Sequence, residues 1–155
     1  MKMRRLTALA LFAALAACGT ASDAVTFRAP PGFTQAASIG PFVEVWNTAD
    51  KQSILTLMAL PAKIDLQNAM SQSNIQDAQV KLKQNVKICG NQQAIFADIV
   101  GASKTATTGQ APHKMNIEFL ATNIHEKTYM AVYMRPLNAP VDAAADRAIR
   151  NICPK

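Results

Sequence analysis

Three cysteines, two histidines and seven methionines are the residues of this chain with chemistry beyond packing. Thiols form disulfides and accept acyl or alkyl groups, whereas imidazole and thioether groups ligate soft metal ions. No Gly-x-Ser-x-Gly, phosphate-binding loop, paired glycine fingerprint or His-Glu-x-x-His occurs in the sequence. The cysteines, at positions 18, 89 and 153, are therefore the first guide to function.

Cys18 ends a segment organised like a secretory signal. Lys2, Arg4 and Arg5 form a positive start, residues 6–17 form an apolar run of 12 residues, and small residues precede the cysteine. A helix needs about 20 apolar residues to span a bilayer, so this run is too short for a permanent transmembrane anchor. The segment therefore indicates export.

The four residues that end at Cys18, Leu-Ala-Ala-Cys, resemble the lipobox of bacterial lipoproteins. In that family the cysteine thiol receives diacylglycerol, the peptide is cut before the cysteine, and the new amine is acylated, typically with palmitate. The resemblance implies a signal peptide over residues 1–17 and a lipidated tether over residues 18–24. The alternatives are an ordinary secretory peptide with an incidental cysteine, or an apolar N-terminal helix of a cytosolic domain.

Gly19 bears on which membrane would hold the anchor. By resemblance to lipoprotein sorting, an aspartate at this position would favour the inner membrane. Its absence implies the periplasmic face of the outer membrane. Several acyl chains, each methylene worth about 0.8 kcal/mol, would hold the protein stably there.

Removing the signal changes the composition to be explained. The remaining 138 residues suit one domain, which we place at residues 25–155. The signal carries three of the 16 basic residues and none of the 10 acidic ones, so the formal charge falls from +6 to 13 − 10 = +3. Such a charge gives no support for nucleic-acid binding.

Two cysteines, Cys89 and Cys153, remain once Cys18 is set aside, and an even number of cysteines in an exported chain can pair. An oxidising compartment favours a disulfide between them, worth about 4 kcal/mol in the chain-entropy model. A redox pair and two metal-binding thiols are the alternatives. A redox pair usually has Cys-x-x-Cys spacing, and these two lie far apart.

The apolar patterns predict mainly strands. We expect strands over residues 25–28, 42–46, 53–60, 92–100, 115–123 and 128–135. The second and third of these predict one antiparallel hairpin, and the last two predict another. Residues 65–85 show helical spacing, with Leu82 in the apolar stripe, and predict one or two helical segments, whereas residues 101–112 predict a loop. Residues 141–153 predict a C-terminal helix with acidic residues early and basic residues late. Its apolar side would consist of Val141, Ala145, Ala148, Ile149 and Ile152. The predicted fold is a single α+β domain, a curved antiparallel sheet with helices packed on one face.

A weak resemblance to a known group covers about residues 25–153. The run Ala-Pro-Pro-Gly-Phe at residues 29–33, the order of elements, and Thr128-Tyr129 opening a late strand resemble the PsbP-like group, which includes DcrB-type and LpqN-type lipoproteins. The group is functionally mixed and mostly non-enzymatic, so the resemblance implies a scaffold rather than a partner. A cystatin-like scaffold fits the pattern almost as well.

Four residues on neighbouring predicted strands suggest a metal site. They are His113, Met115, Met130 and Met134, and thioethers with imidazole suit Cu(I) in an exported protein. Methionine also fills irregular cores, which explains the same residues without a metal. We expect the core role, and no cofactor.

Other residues invite weaker hypotheses. Lys81, Lys83 and Lys87 could face anionic lipid headgroups or form a solvated face. His125 lies in a predicted turn, where solvation is the ordinary state, and Asp98 lies in a strand, where a hydrogen-bonded structural role is expected.

These observations predict a lipid-anchored envelope protein with a non-catalytic binding or assembly-support domain and an envelope protein as partner. The alternatives are a carrier or chaperone for a small ligand or metal, and a hydrolase of unrecognised type. An exposed apolar patch would favour a protein partner, whereas a deep pocket with converging polar groups would favour a carrier or an enzyme.

Overall fold

The structure, a computed structural model, describes residues 19–72, 75–103 and 113–155. The predicted signal peptide and Cys18 lie outside these ranges. None of the helices within the described ranges is both long and apolar enough to cross a membrane.

In the described part of the chain, seven strands form a single antiparallel sheet in the order β1-β2-β3-β7-β6-β5-β4. Their bounds are Phe33–Ile39 (β1), Val43–Thr48 (β2), Ile54–Leu60 (β3), Ile75–Ile88 (β4), Gln92–Ser103 (β5), Met115–Ile124 (β6) and Lys127–Pro136 (β7). One α-helix, α1 (Ala143–Arg150), follows β7. The single domain with an antiparallel sheet and a C-terminal helix is confirmed, although strands make up most of it.

The two clearest hairpins of the sequence are confirmed. β2 pairs with β3, and β6 pairs with β7 around a turn at His125 and Glu126. β3 alternates between buried and partly buried residues, which is the pattern of a strand packed on one side. β6 and β7 lie at the centre of the sheet and are buried on both faces. The apolar run of β7 is accordingly nearly continuous, whereas β6 carries buried polar residues such as Asn116 and Glu118.

β1 was not predicted. After Phe33 its residues are all exposed, so no apolar alternation marks it as a strand. The expected strand at residues 25–28 is instead an extended segment with one isolated bridge, between Val25 and Pro154. The first strand therefore follows the Pro-Pro-Gly run rather than preceding it.

The helical prediction for residues 65–85 is wrong in its second half. A 3₁₀ segment spans Leu66–Gln72, and β4 begins at Ile75. β4 is an edge strand whose residues 77–85 are exposed, so their apolar members need not alternate. Helical spacing there is coincidental, and hydrogen bonding to β5 decides the conformation.

Helix α1 is shorter than expected at both ends. Asp142 caps it by accepting hydrogen bonds from the backbone N–H groups of Ala144 and Ala145 at 2.8 and 3.2 Å. Ala148 and Ile149 are buried as predicted, whereas Val141, expected on the same face, is 50% exposed and precedes the helix.

The sheet has an apolar core on each face. Helix α1 and the N-terminal 3₁₀ turn (Ala21–Ala24) pack on one face, against residues such as Phe96 and Tyr133. The 3₁₀ segment Leu66–Gln72 packs on the other, where Ala69 is fully buried. The expectation that all helices pack on one face is therefore wrong.

The N-terminal turn is part of the domain rather than of a free tether. Ala21 is 2% exposed, and the Ser22 N–H donates to Glu44 Oε2 at 2.7 Å. Lys155 Nζ donates to two carbonyl oxygens of the turn, those of Ser22 and Asp23, at 3.0 Å each. The packed domain thus begins at Ala21, four residues before the predicted boundary.

Candidate functional site

Cys89 and Cys153 are joined in a disulfide, with their Cα atoms 5.7 Å apart. Cys89 lies in the β4–β5 turn, and Cys153 follows α1. The bridge fixes the end of α1 to one edge of the sheet and is consistent with the pairing expected from the sequence. Cys18, the predicted lipidation site, lies outside the described residues.

The methionines proposed for copper pack on the sheet face that carries the 3₁₀ segment Leu66–Gln72. Met130 is fully buried, and Met115 and Met134 are partly buried against the same apolar cluster. Met130 and Met134 are four residues apart on β7, which is about 13 Å along a strand. His113 is exposed just before β6. This arrangement favours core packing over a shared metal site.

Within the described ranges, no three His, Cys, Asp or Glu side chains are grouped so that they could hold a metal ion. His125 is exposed in the β6–β7 turn.

The lysine run does not form one basic face. Lys81 Nζ donates to Asn116 Oδ1 at 2.9 Å on the α1 side of the sheet. Lys83 Nζ donates to the Gln67 carbonyl at 2.7 Å on the opposite side. Two irregularities in the register of β4, together with these lysines, also protect a long sheet edge from pairing with other chains.

A buried ionic cluster lies under α1, and sequence reasoning missed it. Arg135 Nη2 on β7 donates to Glu118 Oε1 on β6 at 3.4 Å, and both residues are less than 10% exposed. Arg135 Nη1 also donates to the Ala139 carbonyl at 3.0 Å, which holds the β7–α1 loop on the sheet. Asp98 lies in register beside Glu118 on the same face. The cluster joins β5, β6, β7 and the loop.

Three atoms of this cluster are buried without a hydrogen-bond partner among the described residues: Asp98 Oδ1, Glu118 Oε2 and Arg135 Nε. The pKa of Glu118 is raised to about 7, first by burial and then by the neighbouring Asp146 carboxyl group on α1, which disfavours a second negative charge. Arg135 opposes the shift. Glu118 therefore changes its charge near neutral pH, next to the helix that covers it.

The surface formed by the described residues includes two open clefts. One, of about 500 Å³, adjoins the disulfide and is lined by Gln92 and Pro154. The other, of about 370 Å³, is lined by the aromatic side chains of Phe33 and Trp46 and by Glu44, which is buried. Glu44 already accepts hydrogen bonds from Ser22 and Gln35. Arg28 also lines this cleft, so its charged lining consists of one basic and one acidic side chain.

A third feature is an exposed apolar surface at the far end of the ionic cluster. We define the distal surface by Lys81, Leu82, Asn116, Leu137 and Val141. Leu82, Leu137 and Val141 are 44%, 46% and 50% exposed. Asn116 links the surface, since it accepts from Lys81 and its Nδ2 donates to the Leu137 carbonyl at 2.8 Å. Asn116 thereby connects the part of β4 that carries Leu82 to the loop that carries Leu137.

The sequence offered little signal for this surface. Leu82 and Val141 were expected on the buried side of helices, and only the register of β4 and the start of α1 expose them. Asp98 and Asn116 each lie between apolar residues of a strand, which indicates that their side chains point to the opposite face of the sheet from those neighbours. The pattern does not indicate which groups they contact.

Comparison with known proteins adds a resemblance in fold only. No protein-family model matches the chain, and no curated protein sequence matches it. Among solved structures, the chain is similar to the 1.9 Å crystal structure of the Saccharomyces cerevisiae Ran-binding protein Mog1p. The two are 12% identical, the match covers 84% of this chain and 80% of that chain, and the TM-score is 0.49. Similarity at this level assigns no function and no partner to the present chain.

Proposed function

We propose that the protein is a lipid-anchored protein of the cell envelope whose domain binds a protein partner without catalysing a reaction. Export and anchoring are supported by the lipobox-like residues ending at Cys18 and by the disulfide between Cys89 and Cys153, since disulfides persist in oxidising compartments.

The distal surface carries the proposal for binding. Exposed apolar side chains grouped on one surface and edged by polar groups are typical of protein interaction sites. Leu82 and Leu137 supply the apolar part, and Lys81 supplies a polar group beside it, held by the buried amide of Asn116. Exposed apolar side chains such as these favour a protein partner. The two clefts are open at the surface, unlike the deep pocket that would favour a carrier or an enzyme.

The position of the distal surface fits an anchored protein. Leu137 and Val141 lie in the loop after β7, at the end of the sheet that also holds the β2–β3 turn. The N-terminal turn packs near Glu44, close to the opposite end of β2. A domain anchored through Cys18 would therefore present the distal surface away from the lipid.

Photo-crosslinking tests the partner site in intact cells. A photoreactive amino acid replaces Leu82 in one variant and Val80 in another. Val80 is a matched control, since it is 47% exposed but lies in register with Ile99, on the other face of the sheet. We expect a discrete crosslinked protein from position 82 and its loss when Leu137→Asp is added. Equal crosslinking from both positions, or crosslinking unaffected by Leu137→Asp, would contradict the site.

The anchor is tested separately with Cys18→Ser. We expect this change to abolish fatty-acid labelling and to leave the precursor uncut, because the thiol is the acceptor of the lipid. Undiminished labelling in the variant would exclude Cys18 as the anchor.

A further inference from the structure

We infer that the end of the domain carrying the N-terminal turn lies directly against the membrane, with the tip of the β1–β2 turn inserted among the lipid headgroups. This inference rests on the proposed anchor at Cys18 and adds the orientation of the domain and the residues that contact lipid. We define the proximal tip as residues 39–42, with Ile39 and Phe42 as its apolar members.

The link between the anchor and the domain is very short. Ala21 is buried in the core, and the Thr20 N–H donates to Asp23 Oδ2 at 2.6 Å. Only Gly19 and Thr20 separate Cys18 from Ala21. Three residue steps span about 10 Å even when fully extended. A lipid on Cys18 would therefore hold the N-terminal turn next to the headgroups and leave the domain little freedom to turn away.

The proximal tip lies beside this turn. Ser22 bonds to Glu44, and Glu44 lies in register with Ser38, with Ile39 and Val43 the next pair toward the turn. The tip is thus within one residue step of the strand position that binds the N-terminal turn. An anchor at Cys18 and the tip must face the same surface.

The tip has the composition of a membrane-contacting loop. Ile39 is 65% exposed and Phe42 is 49% exposed, and no charged residue occurs between them. The other large apolar side chains that are exposed within the described residues lie on β4 or in the loop after β7. Transfer of isoleucine and phenylalanine side chains from water to the boundary between headgroups and acyl chains is favourable, because it removes apolar surface from water.

Several basic side chains lie at the same end of the sheet as the proximal tip. Lys127 and Lys63 lie at the turns after β6 and β3, and Lys155 packs on the N-terminal turn. The exposed acidic groups there include Asp23, which caps the turn, Asp65 in the segment after β3, and Glu126, which pairs with Lys63 at 3.0 Å. Among these groups the charges balance, so lipid contact at this end depends on the apolar tip and on the short link to Cys18.

A single-tryptophan experiment tests the orientation. The chain has one tryptophan, Trp46. The lipidated protein carrying Trp46→Phe with Phe42→Trp is reconstituted in phosphatidylethanolamine–phosphatidylglycerol vesicles, with lipids brominated near the glycerol end of the acyl chain. The matched control carries Trp46→Phe with Leu137→Trp, since Leu137 is 46% exposed on the distal surface.

We expect blue-shifted emission and strong quenching at position 42, with neither change at position 137. Equal behaviour at the two positions would overturn the inference. Flotation of the vesicles with bound protein separates the two hypotheses. Protein that does not float would overturn the anchor itself, whereas protein that floats with position 42 unquenched would overturn the orientation alone.

Hydrogen–deuterium exchange gives a second test without any substitution in the domain. The amides of residues 39–42 should exchange more slowly in the vesicle-bound lipoprotein than in the domain exported behind a non-lipoprotein signal and beginning at Gly19. Unchanged exchange at these amides would overturn the inference even if the tryptophan variants fail to fold.

Discussion

Glu118 makes the stability of this domain depend on pH in a direction opposite to that of most carboxylates. Its pKa rises from an ordinary value of 4.5 to about 7 in the folded protein. Between these values the folded state binds more protons than the unfolded state, so the free energy of unfolding falls as pH rises. At about 1.4 kcal/mol for each pKa unit, the loss between pH 4.5 and pH 7 is about 3 kcal/mol.

The physical reason is the position of the side chain. Glu118 is 5% exposed between the sheet and α1, where Asp146 repels its charge and Arg135 pairs with it at 3.4 Å. Burial and Asp146 outweigh Arg135 in the shift of its pKa. Glu118→Gln removes the titration while keeping an oxygen that can accept from Arg135.

The assay is urea unfolding of the unlipidated domain at intervals from pH 4 to pH 8, followed by far-UV circular dichroism. We expect the difference in unfolding free energy between the native protein and Glu118→Gln to change by about 3 kcal/mol across this range. Glu126→Gln is the matched control, since Glu126 is 88% exposed and pairs only with a surface lysine. Parallel pH profiles for the native protein and Glu118→Gln would refute the reasoning.

Three further predictions follow from the fold. Cys89→Ser should lower the free energy of unfolding by about 4 kcal/mol, given a sequence separation of 64 residues between the bonded cysteines. Alkylation under denaturing conditions without reductant should find one thiol in this variant, and two modified cysteines in the unaltered domain lacking Cys18 would contradict the disulfide. Cu(I) titration against a competing chelator should give equal affinities for the native domain and the Met115→Leu, Met130→Leu variant, because Met130 is fully buried in the core, and tighter binding by the native domain would restore the metal hypothesis. Asp142→Ala should cost about 1 kcal/mol in thermal or urea unfolding through the lost helix cap, and Asp142→Asn, which keeps an accepting oxygen, should cost less.

The sequence determined those elements in which the spacing of apolar residues directly reflects which faces are buried. β3 has one buried face and alternates accordingly, and β7 is buried on both faces and reads as a continuous apolar run. Helix α1 was recognised because an amphipathic stripe, acidic residues at its start and basic residues at its end occur within one short segment. The pairing of Cys89 with Cys153 required only a count and an expected compartment.

Tertiary structure decided the features that depend on neighbours distant in the chain. β1 and β4 are edge strands with exposed side chains, so only hydrogen bonding to β2 and β5 defines them. Two cores, rather than one, arise because the 3₁₀ segment Leu66–Gln72 crosses to the face opposite α1.

The candidate sites were decided in the same way. Glu118, Arg135 and Asp146 come from β6, β7 and α1. The burial of Glu118 and its closeness to Asp146, which together raise its pKa, exist only once these elements pack. The distal surface likewise depends on an asparagine that joins Lys81 to the loop carrying Leu137. Local sequence encodes which residues prefer to be buried, but the partners of a buried charge and the exposure of a leucine depend on strand register. Register is fixed by the whole sheet, since a slip of one residue moves every side chain to the other face.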